Sequence, residues 1–355
     1  MLRNLTIIIP TYNRSKFIIR SFNFWKNSGV NFLIFDSSDL INTELNRYKN
    51  YNYIKENNFY KKLFDAVNSV QTKYVMIIAD DDFASIDTIE ECLKFLDNNN
   101  SFVSAQGSYI DFWYDQNNDI DICVRTPSIS GTNSNLIQDD PNTRVYNSIN
   151  KYFHHIYSIH RKEILQQALS ISKDLNNNSA SEINITLFGS IFGKHKMIEN
   201  LYICRQIMPI SNIIFPDRES FAEWINNKNN FEEVQNWINK LSIFYSQINN
   251  LSIEKSKQSI SKAIFSYNKQ KIGITQLIKS FIKLFIPMKI LNIFRHPLYY
   301  KKSWPPTQQE ASKIRNLSMS DKYYPWTNSI ANKQWLDIKK FLNKFGKVEE
   351  KSYKI

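Results

Sequence analysis

The chain has 355 residues, of which 42% are hydrophobic and 22% charged, so a disordered protein is excluded and one large domain or two smaller ones can fold. With 7 glycines and neither a GxxxxGKS/T nor a GxGxxG pattern, the two common phosphate-binding glycine loops are excluded as well. The net charge of +12 is concentrated in residues 255–302, which hold ten Lys, one Arg and no Asp or Glu, so the other 307 residues carry a net +1.

The first hundred residues alternate short β-branched runs with stretches of helical periodicity. We predict strands at Leu5–Ile9, where Pro10 ends the run, and at Phe32–Phe35, Tyr53–Ile54, Tyr74–Ala79 and Phe102–Gln106. Helices are predicted between them at Phe17–Asn27, Leu63–Val70 and Ile89–Leu96, the last with Asp87 as its N-cap. Strands that alternate with helices indicate βαβ units and a mainly parallel sheet, which is an α/β fold.

The second half of the chain is predicted to be mainly helical. Residues 108–150 are polar and Asn-rich, and we predict a long loop or lid there; order resumes with Tyr152–His160, a helix at Lys162–Leu169, a helix at Glu182–Phe192 and a strand at Leu201–Cys204. After Pro216 the pattern is helical, with core candidates Phe221, Trp224, Ile225, Phe231, Val234, Trp237 and Leu241. We therefore divide the chain into an α/β domain (1–215), a helical extension (216–302) and a C-terminal tail (303–355).

The cysteines and the N-terminus predict a cytoplasmic protein. Cys92, Cys123 and Cys204 stand far apart without a CxxC pair, which favours a reducing compartment. The apolar run before Pro10 is too short for a signal peptide or a membrane span.

Polar side chains follow three of the predicted strands. Thr11–Arg14 follows the first, Asp36–Asp39 the second, and Asp80–Asp82 comes directly after Tyr74–Ala79. In such sheets ligands bind beyond the carboxyl ends of the strands. Three adjacent carboxylates repel one another unless a cation neutralises them, so Asp80, Asp81 and Asp82 are candidates to hold Mg²⁺ or Mn²⁺. The alternative is a solvated connection in which one aspartate caps a helix.

Three segments carry a family resemblance. IIIPTYNR at 7–14, FDSSD at 35–39 and TKYVMIIADDDF at 72–83 resemble family 2 glycosyltransferases of the GT-A fold, and a weaker likeness continues through 156–163 and 201–206. The resemblance implies that 1–215 is a catalytic domain, that the donor is a nucleotide sugar, and that the product belongs to a cell-surface polysaccharide or oligosaccharide. Many relatives have DxDD, whereas Ala79 stands at the first of those positions here, so the metal-binding aspartate is open by one position.

The resemblance also implies residue roles. The nucleotide pocket would be lined by Thr11, Tyr12 and Arg14, with Asp36 on the base, Lys61 or Lys62 near the base or phosphates, Asp80 on the ribose and Asp81 or Asp82 on the metal. Arg205 would reach the diphosphate, although a plain surface arginine is an alternative. The catalytic candidates are Asp82 and Glu182, the latter as the general base of an inverting transfer. The helix dipole alone would also favour a glutamate in the first turn of a helix. Asp139, Asp140 and Asp174 are alternative bases.

Two further features invite a functional interpretation. His154, His155 and His160 lie close together, but no Cys or carboxylate completes a zinc set, so we expect structural or acceptor-pocket roles. In the basic segment 255–302, apolar residues at Ile274–Phe285 follow helical spacing with lysines among them, which is typical of an interfacial helix on anionic lipid. A helix packed on the protein with its lysines in water is the alternative.

Three other functions compete with sugar transfer. A nucleotidyltransferase usually has a glycine-rich, basic N-terminal signature, which is missing here. A nucleic-acid-binding protein is disfavoured because the charge lies in one apolar-striped segment and no known motif occurs; affinity for RNA or DNA that survived deletion of 255–302 would favour it. A catalytically silent nucleotide-sugar binder stays open, and donor hydrolysis that is lost in Asp81→Ala or Asp82→Ala would exclude it.

Overall fold

A computed structural model describes residues 1–114, 122–125, 135–150, 154–206, 219–271 and 329–348. The strands are β1 (Leu5–Thr11), β2 (Asn31–Asp36), β3 (Tyr51–Tyr53), β4 (Tyr74–Ile77), β5 (Phe83–Ala84), β6 (Phe102–Tyr114), β7 (Ile122–Arg125), β8 (Ile159–Arg161) and β9 (Lys194–Gln206). The helices are α1 (Ser15–Trp25), α2 (Phe59–Ser69), α3 (Ile86–Asn98), α4 (Pro141–Asn150), α5 (Lys162–Ser172), α6 (Asn178–Phe192), α7 (Phe221–Trp224), α8 (Phe231–Asn249), α9 (Ile253–Lys271) and α10 (Ser329–Phe345).

The nine strands form one mixed sheet in the order β3-β2-β1-β4-β8-β6-β9-β5, with β7 paired to β6. The first four strands in that order are parallel, as the βαβ pattern predicts, and β6 runs parallel to β9. The antiparallel strand β8 joins these two parallel groups, and β5 and β7 are also antiparallel to their neighbours. The α/β architecture with a mainly parallel sheet and a helical extension is therefore confirmed.

Both faces of the sheet are covered because alternate residues of each strand point to opposite sides. In β1, Ile8 packs into the cluster built by α2, α5, α6 and the helical extension, whereas Ile7 and Ile9 pack into the cluster under α1 and α3. A strand that is buried on both faces has no polar positions to alternate. This burial explains why the segments at 5–9 and 74–78 are apolar except for Thr6, which is itself buried.

Strands β6 and β9 are longer than predicted. Each has 13 residues, so the predicted loop at 108–150 instead holds the second half of β6, β7 and α4. The polar residues Ser108 and Asp111 made this aromatic segment resemble a loop in the sequence, but both are buried in the β6–β9 pair. Gly107 allows that pairing, since a Cβ there would lie 2.7 Å from the carbonyl oxygen of Asn200.

Three smaller predictions are wrong. Pro10 does not end β1, because the ladder to β4 already stops at Ile8 and a proline beyond it disturbs no bond of that ladder. Ser85, not Asp87, is the N-cap of α3: its side chain accepts from the Thr88 amide, and Asp87 lies in the first turn. The core candidate Phe231 is 65% exposed, since it is the first residue of α8 and projects beyond the packed surface.

The helical extension and the C-terminal segment both pack on the α/β core. Core candidates Trp224, Trp237 and Leu241 are buried in the same cluster as α5 and α6. Helix α10 lies on β5, β6 and β9 and buries Trp335, Ile338 and Leu342 against Phe83. The proposed boundaries near 215 and 302 lie outside the described residues, so that division stays a prediction.

The basic segment is described only in part. Helix α9 covers its beginning, and the apolar stripe at 274–285 lies outside the described residues. Within the described part of the chain, no helix is both long enough and apolar enough to cross a bilayer.

Candidate active site

The ends of β1, β2 and β4 bring the predicted polar residues together. Thr11 and Asp36 are partners in the β1–β2 register, and Asp80 follows β4 on the other side of β1. The Thr11 hydroxyl donates a 2.6 Å hydrogen bond to the Asp80 carboxylate. Parallel strands that end at one edge of a sheet produce this arrangement.

The three aspartates occupy different environments. Asp80 and Asp82 are buried, whereas the Asp81 side chain keeps 13% of its surface exposed. Asp82 accepts a 2.9 Å hydrogen bond from the Gln206 amide. Burial raises the pKa of Asp80 to about 6 and the pKa of Asp82 well above its usual value, and the charge of Asp81 adds to both shifts. Keeping Asp80 and Asp82 ionised in the interior therefore costs free energy of folding.

Arg14 compensates part of that charge. Its guanidinium donates to Asp80 at 2.5 Å and to Asp81 at 2.6 Å while it lies over the Phe17 ring, 4.1 Å from the centroid. The preceding residue, Asn13, has a φ of 51°, a left-handed conformation that asparagine tolerates better than most residues. The turn after β1 thus directs Arg14 towards Asp80, Asp81 and Asp82, which we call the acidic triplet. Any other cation bound to Asp81 would compete with Arg14.

These residues could bind a divalent cation only if Asp81 shared it with a ligand. Among the described residues, no group of three or more His, Cys, Asp or Glu side chains could hold an ion. Asp80 and Asp82 are turned into the protein, where Thr11 and Gln206 donate to them, and Asp81 is the more exposed carboxylate. Mg²⁺ in phosphate-binding sites commonly takes one or two carboxylates and completes its shell with phosphate oxygens and water. A cation on Asp81 that shares a diphosphate is compatible with this geometry.

The two lysine candidates separate. Lys61 is 54% exposed and pairs with Glu56, outside the site. Lys62 is buried, and its ammonium donates to the Thr11 carbonyl at 3.0 Å and to the Ser37 hydroxyl at 2.8 Å. Burial lowers the pKa of Lys62 to about 8, although the charges of Asp36 and Asp80 oppose that shift. The structure therefore places Lys62, and not Lys61, between the ends of β1 and β2.

Substitution of Lys62 by methionine should change how stability depends on pH. Between a native pKa of about 8 and an unfolded pKa near 10.4, only the unfolded chain holds the proton, so wild-type stability gains up to about 3 kcal/mol as pH rises through that window. K62M lacks this gain. Urea unfolding of both proteins at pH 7 and pH 10 measures it as a difference of differences, and a pH-independent gap between them would contradict the burial argument.

Asp36 and Tyr12 lie at the same edge of the sheet, but Asp36 is buried and the Tyr12 hydroxyl is exposed. The Asp36 carboxylate is buried and accepts from the Tyr51 hydroxyl at 2.5 Å and from the Ser38 amide at 2.8 Å. The Tyr12 hydroxyl lies at the surface, 3.3 Å from the Asp39 carboxylate that it donates to. Recognition of a nucleobase by Asp36 stays a prediction, and it would require that these internal bonds be rearranged.

Tyr157 and the candidate Arg205 lie close to Asp82. The Tyr157 phenol hydrogen-bonds to Asp82, and burial raises the pKa of Tyr157 well above its usual value, with added contributions from the charges of Asp82 and Glu182. Arg205 forms an ion pair with the buried Asp111 at 3.2 Å and lies over the Tyr109 ring. Arg205 lines a pocket together with Tyr157 and with His154, the partner of Glu182.

Glu182 is placed by α6. The helix begins at Asn178, so Glu182 lies in its second turn, beyond the stretch where the helix dipole stabilises an acid. Its carboxylate is 3.0 Å from Nδ1 of His154. The alternative bases have other partners: Asp139 pairs with Lys194, Asp140 accepts from Asn142 and Thr143 at the start of α4, and Asp174 pairs with Lys240.

Sequence reasoning missed Arg20 and Gln206. Arg20 is fully buried in α1 between the rings of Phe17 and Phe83, and its guanidinium donates to the Gln206 side chain at 2.5 Å and to the Asp81 carbonyl at 3.5 Å. Arg20 therefore contacts the backbone of the acidic triplet from the protein interior. The available signal was an arginine on an apolar helix face, three residues after Phe17.

Comparisons with known proteins give one family match and several similar solved structures. Residues 6–167 match the family described as Glycosyl transferase family 2. Solved structures similar to the chain include TarS residues 1–349 from S. aureus, at 15% identity over 75% of this chain and 90% of that one, with a TM-score of 0.38. Mannosyltransferase PcManGT from Pyrobaculum calidifontis, in complex with GDP-Man and Mn²⁺, matches at 12% identity over 90% of this chain and 88% of that one, with a TM-score of 0.39.

The match to the longer TarS chain spans 55% of that protein at 15% identity, with a TM-score of 0.38. No curated protein sequence matches this chain significantly. The matched family region contains β1, β2 and β4 with Thr11, Asp36 and the acidic triplet. The chain therefore carries a glycosyl transferase family 2 domain over residues 6–167.

Proposed function

We propose that the protein transfers a sugar, with inversion, from a nucleoside diphosphate sugar to a hydroxyl of a glycan or lipid-linked acceptor, and that it needs Mg²⁺ or Mn²⁺. One observation supports the proposal: Arg14 contacts Asp80 and Asp81, whereas Tyr157, which the charge of Glu182 also reaches, hydrogen-bonds to Asp82, so the cationic group and the candidate base are associated with different aspartates. A leaving group and an incoming nucleophile need opposite sides of one reacting centre.

The donor would lie along the ends of β1 and β2. Lys62 and Arg14 supply positive charge there, and Thr11 holds Asp80 in place with its 2.6 Å hydrogen bond. The diphosphate would reach Asp81, where a bound cation would offset the negative charge that develops on the departing phosphate. Buried Arg20 fixes the backbone of Asp81, so the carboxylate is held ready before the donor arrives.

The transfer itself needs one base. The acceptor oxygen forms a bond to the anomeric carbon while the bond from that carbon to the diphosphate oxygen breaks. The bonding pair leaves with the nucleoside diphosphate, and the proton of the acceptor hydroxyl passes to Glu182. Attack from the side opposite the leaving group inverts the anomeric centre.

Thermal unfolding with a panel of nucleotide sugars tests the donor assignment. A preferred donor should raise the melting temperature in the presence of Mg²⁺ or Mn²⁺, because ligand that binds only the native state stabilises it by about 2.7 kcal/mol at 100 times its Kd. The shift should disappear when a chelator removes the metal. If no donor changes the melting temperature with either metal, the proposal is wrong.

A catalytically silent donor binder is the second candidate. It is favoured by the ion pairs of Arg14 with Asp80 and Asp81, which already neutralise much of the triplet. An assay of nucleoside diphosphate release with the donor that the panel selects decides between the two, since a silent protein would be stabilised by that donor without releasing nucleoside diphosphate from it.

The setting of the reaction is also part of the proposal. A role in surface-glycan assembly at the inner face of the cell membrane is supported by the charge of residues 255–302, since lysines near an anionic leaflet each contribute about 1 kcal/mol of attraction. This part fails if the protein does not sediment with vesicles of anionic lipid, or if it does so equally well without that segment.

A further inference from the structure

We propose that His154 is a positioning residue for the transfer: it holds the Glu182 carboxylate at the edge of a pocket through which the acceptor hydroxyl arrives. The inference rests on the proposed role of Glu182 as the base. His154 lies within the matched family region 6–167 but outside the three sequence motifs at 7–14, 35–39 and 72–83.

The first observation is the hydrogen bond itself. Nδ1 of His154 lies 3.0 Å from Oε1 of Glu182. An ionised carboxylate only accepts hydrogen bonds, so Nδ1 must carry the proton in this contact. Glu182 is on α6, and His154 precedes the short 3-10 turn at His155–Tyr157, so the bond joins two separate elements. A carboxylate tethered in this way loses rotamer freedom on the side of the imidazole.

The second observation is a pocket on the same imidazole. Tyr109, His154, Tyr157 and Arg205 are among the residues that line a small open pocket. The ring of Tyr109 faces that of His154 edge-on, with the centroids 6.4 Å apart. The pocket lies where the β6–β9 ladder shifts register beside Gly107. His154 therefore touches both the candidate base and the space beside it.

The lining of the pocket suits a neutral sugar ring. Three tyrosines and a histidine supply aromatic faces, which pack on the apolar face of a pyranose. The guanidinium of Arg205 is balanced by Asp111 at 3.2 Å, with Asp82 also nearby, so the pocket presents no excess positive charge to a phosphate or carboxylate.

The third observation connects the pocket to the acidic triplet. Tyr157 lines the pocket and hydrogen-bonds to Asp82, and the charge of Glu182 also reaches its phenol. A hydroxyl that enters past Tyr109 and His154 would thus meet Glu182 near Tyr157 and Asp82, whereas Arg14 contacts Asp80 and Asp81. Base and acceptor would approach the donor from the same direction, as an inverting transfer requires.

The test uses water as the acceptor, so that it does not depend on the natural one. Release of nucleoside diphosphate is measured with the donor selected by the thermal panel, for His154→Ala, His154→Asn and wild type. Misplacement of a reacting group by about 1 Å can lower a rate by about 100-fold, so we expect kcat of H154A to fall about 10- to 100-fold with KM for the donor unchanged. H154N, whose amide can donate from a similar position, should recover most of that loss.

Two controls separate positioning from stability. Lys73→Ala removes an ion pair with Asp97 of comparable exposure, 49% and 31% against 42% and 28% for His154 and Glu182, and should keep the wild-type rate. In a Glu182→Gln background, H154A should cost little more, because a positioning residue has nothing left to position. Full activity of H154A, or a loss that is as large in the E182Q background, overturns the inference. If E182Q itself keeps the wild-type rate, the proposed base is wrong and the role of His154 falls with it.

Discussion

Replacement of Glu182 by glutamine is expected to lower kcat by about 10²- to 10⁴-fold, the usual contribution of a positioned general base. Glutamine has nearly the same shape and can still accept from Nδ1 of His154, which is 3.0 Å away, but it cannot take the acceptor proton. The melting temperature and the donor-induced shift should stay at wild-type values, since the donor would contact the other side of the triplet. Release of nucleoside diphosphate from the preferred donor measures the loss.

The exposed Glu199 on β9 provides the matched control for that substitution. Glu199→Gln makes the same chemical change at an exposed side chain that does not line the pocket, and it should leave kcat unchanged. Comparable activity of E182Q and E199Q would exclude Glu182 as the base, and Asp139, Asp140 and Asp174 would then have to be substituted in the same assay.

Replacement of Asp81 by asparagine should have an effect of similar size on a different step. If Asp81 is the carboxylate that binds the cation, its loss should lower kcat/KM by about 10³-fold, which corresponds to about 4 kcal/mol. The metal-dependent part of the donor-induced melting shift should vanish as well. Substitution of Asp80 or Asp82 would be less informative, because both are buried and their loss would disturb the fold.

Stability should move in the opposite direction from activity in the same variant. The charge of Asp81 raises the pKa of both Asp80 and Asp82, so it repels two neighbours that are held in the interior. Arg14 keeps its partner Asp80 when Asp81 is neutralised. We therefore expect Asp81→Asn to melt at or above the wild-type temperature, and Asp65→Asn, an exposed change in the interior of α2, to alter neither property. Unfolding of D81N well below the wild-type temperature would mean that Asp81 serves the fold instead.

Much of the α/β architecture could be predicted from local patterns. Mainly apolar runs at Leu5–Ile9 and Tyr74–Ile78 indicated buried strands, and the helices between them followed from residues spaced three and four apart. The placement of Thr11 beside Asp80 also followed, because parallel strands with one topology must end at one edge. These are properties of consecutive residues and of connection rules, which a sequence contains in full.

The outcome was different for β6, β9 and the C-terminal helix. Polar residues such as Ser108 and Asp111 looked like loop residues, and only their burial in a long strand pair accounts for them. The contact of α10 with Phe83 joins residues more than 240 positions apart, between an element near the acidic triplet and the end of the described chain. Local periodicity contains no information about such pairs.

By itself, the sequence determined which residue types stand at the ends of which strands, and therefore that a donor and a cation could meet there. Only the tertiary structure decided that Lys62 and not Lys61 faces the site, that Asp81 is the most exposed carboxylate of its triplet, and that His154 reaches Glu182. The physical reason is that side-chain direction and desolvation depend on what packs around a residue, and those neighbours come from elements far apart along the chain.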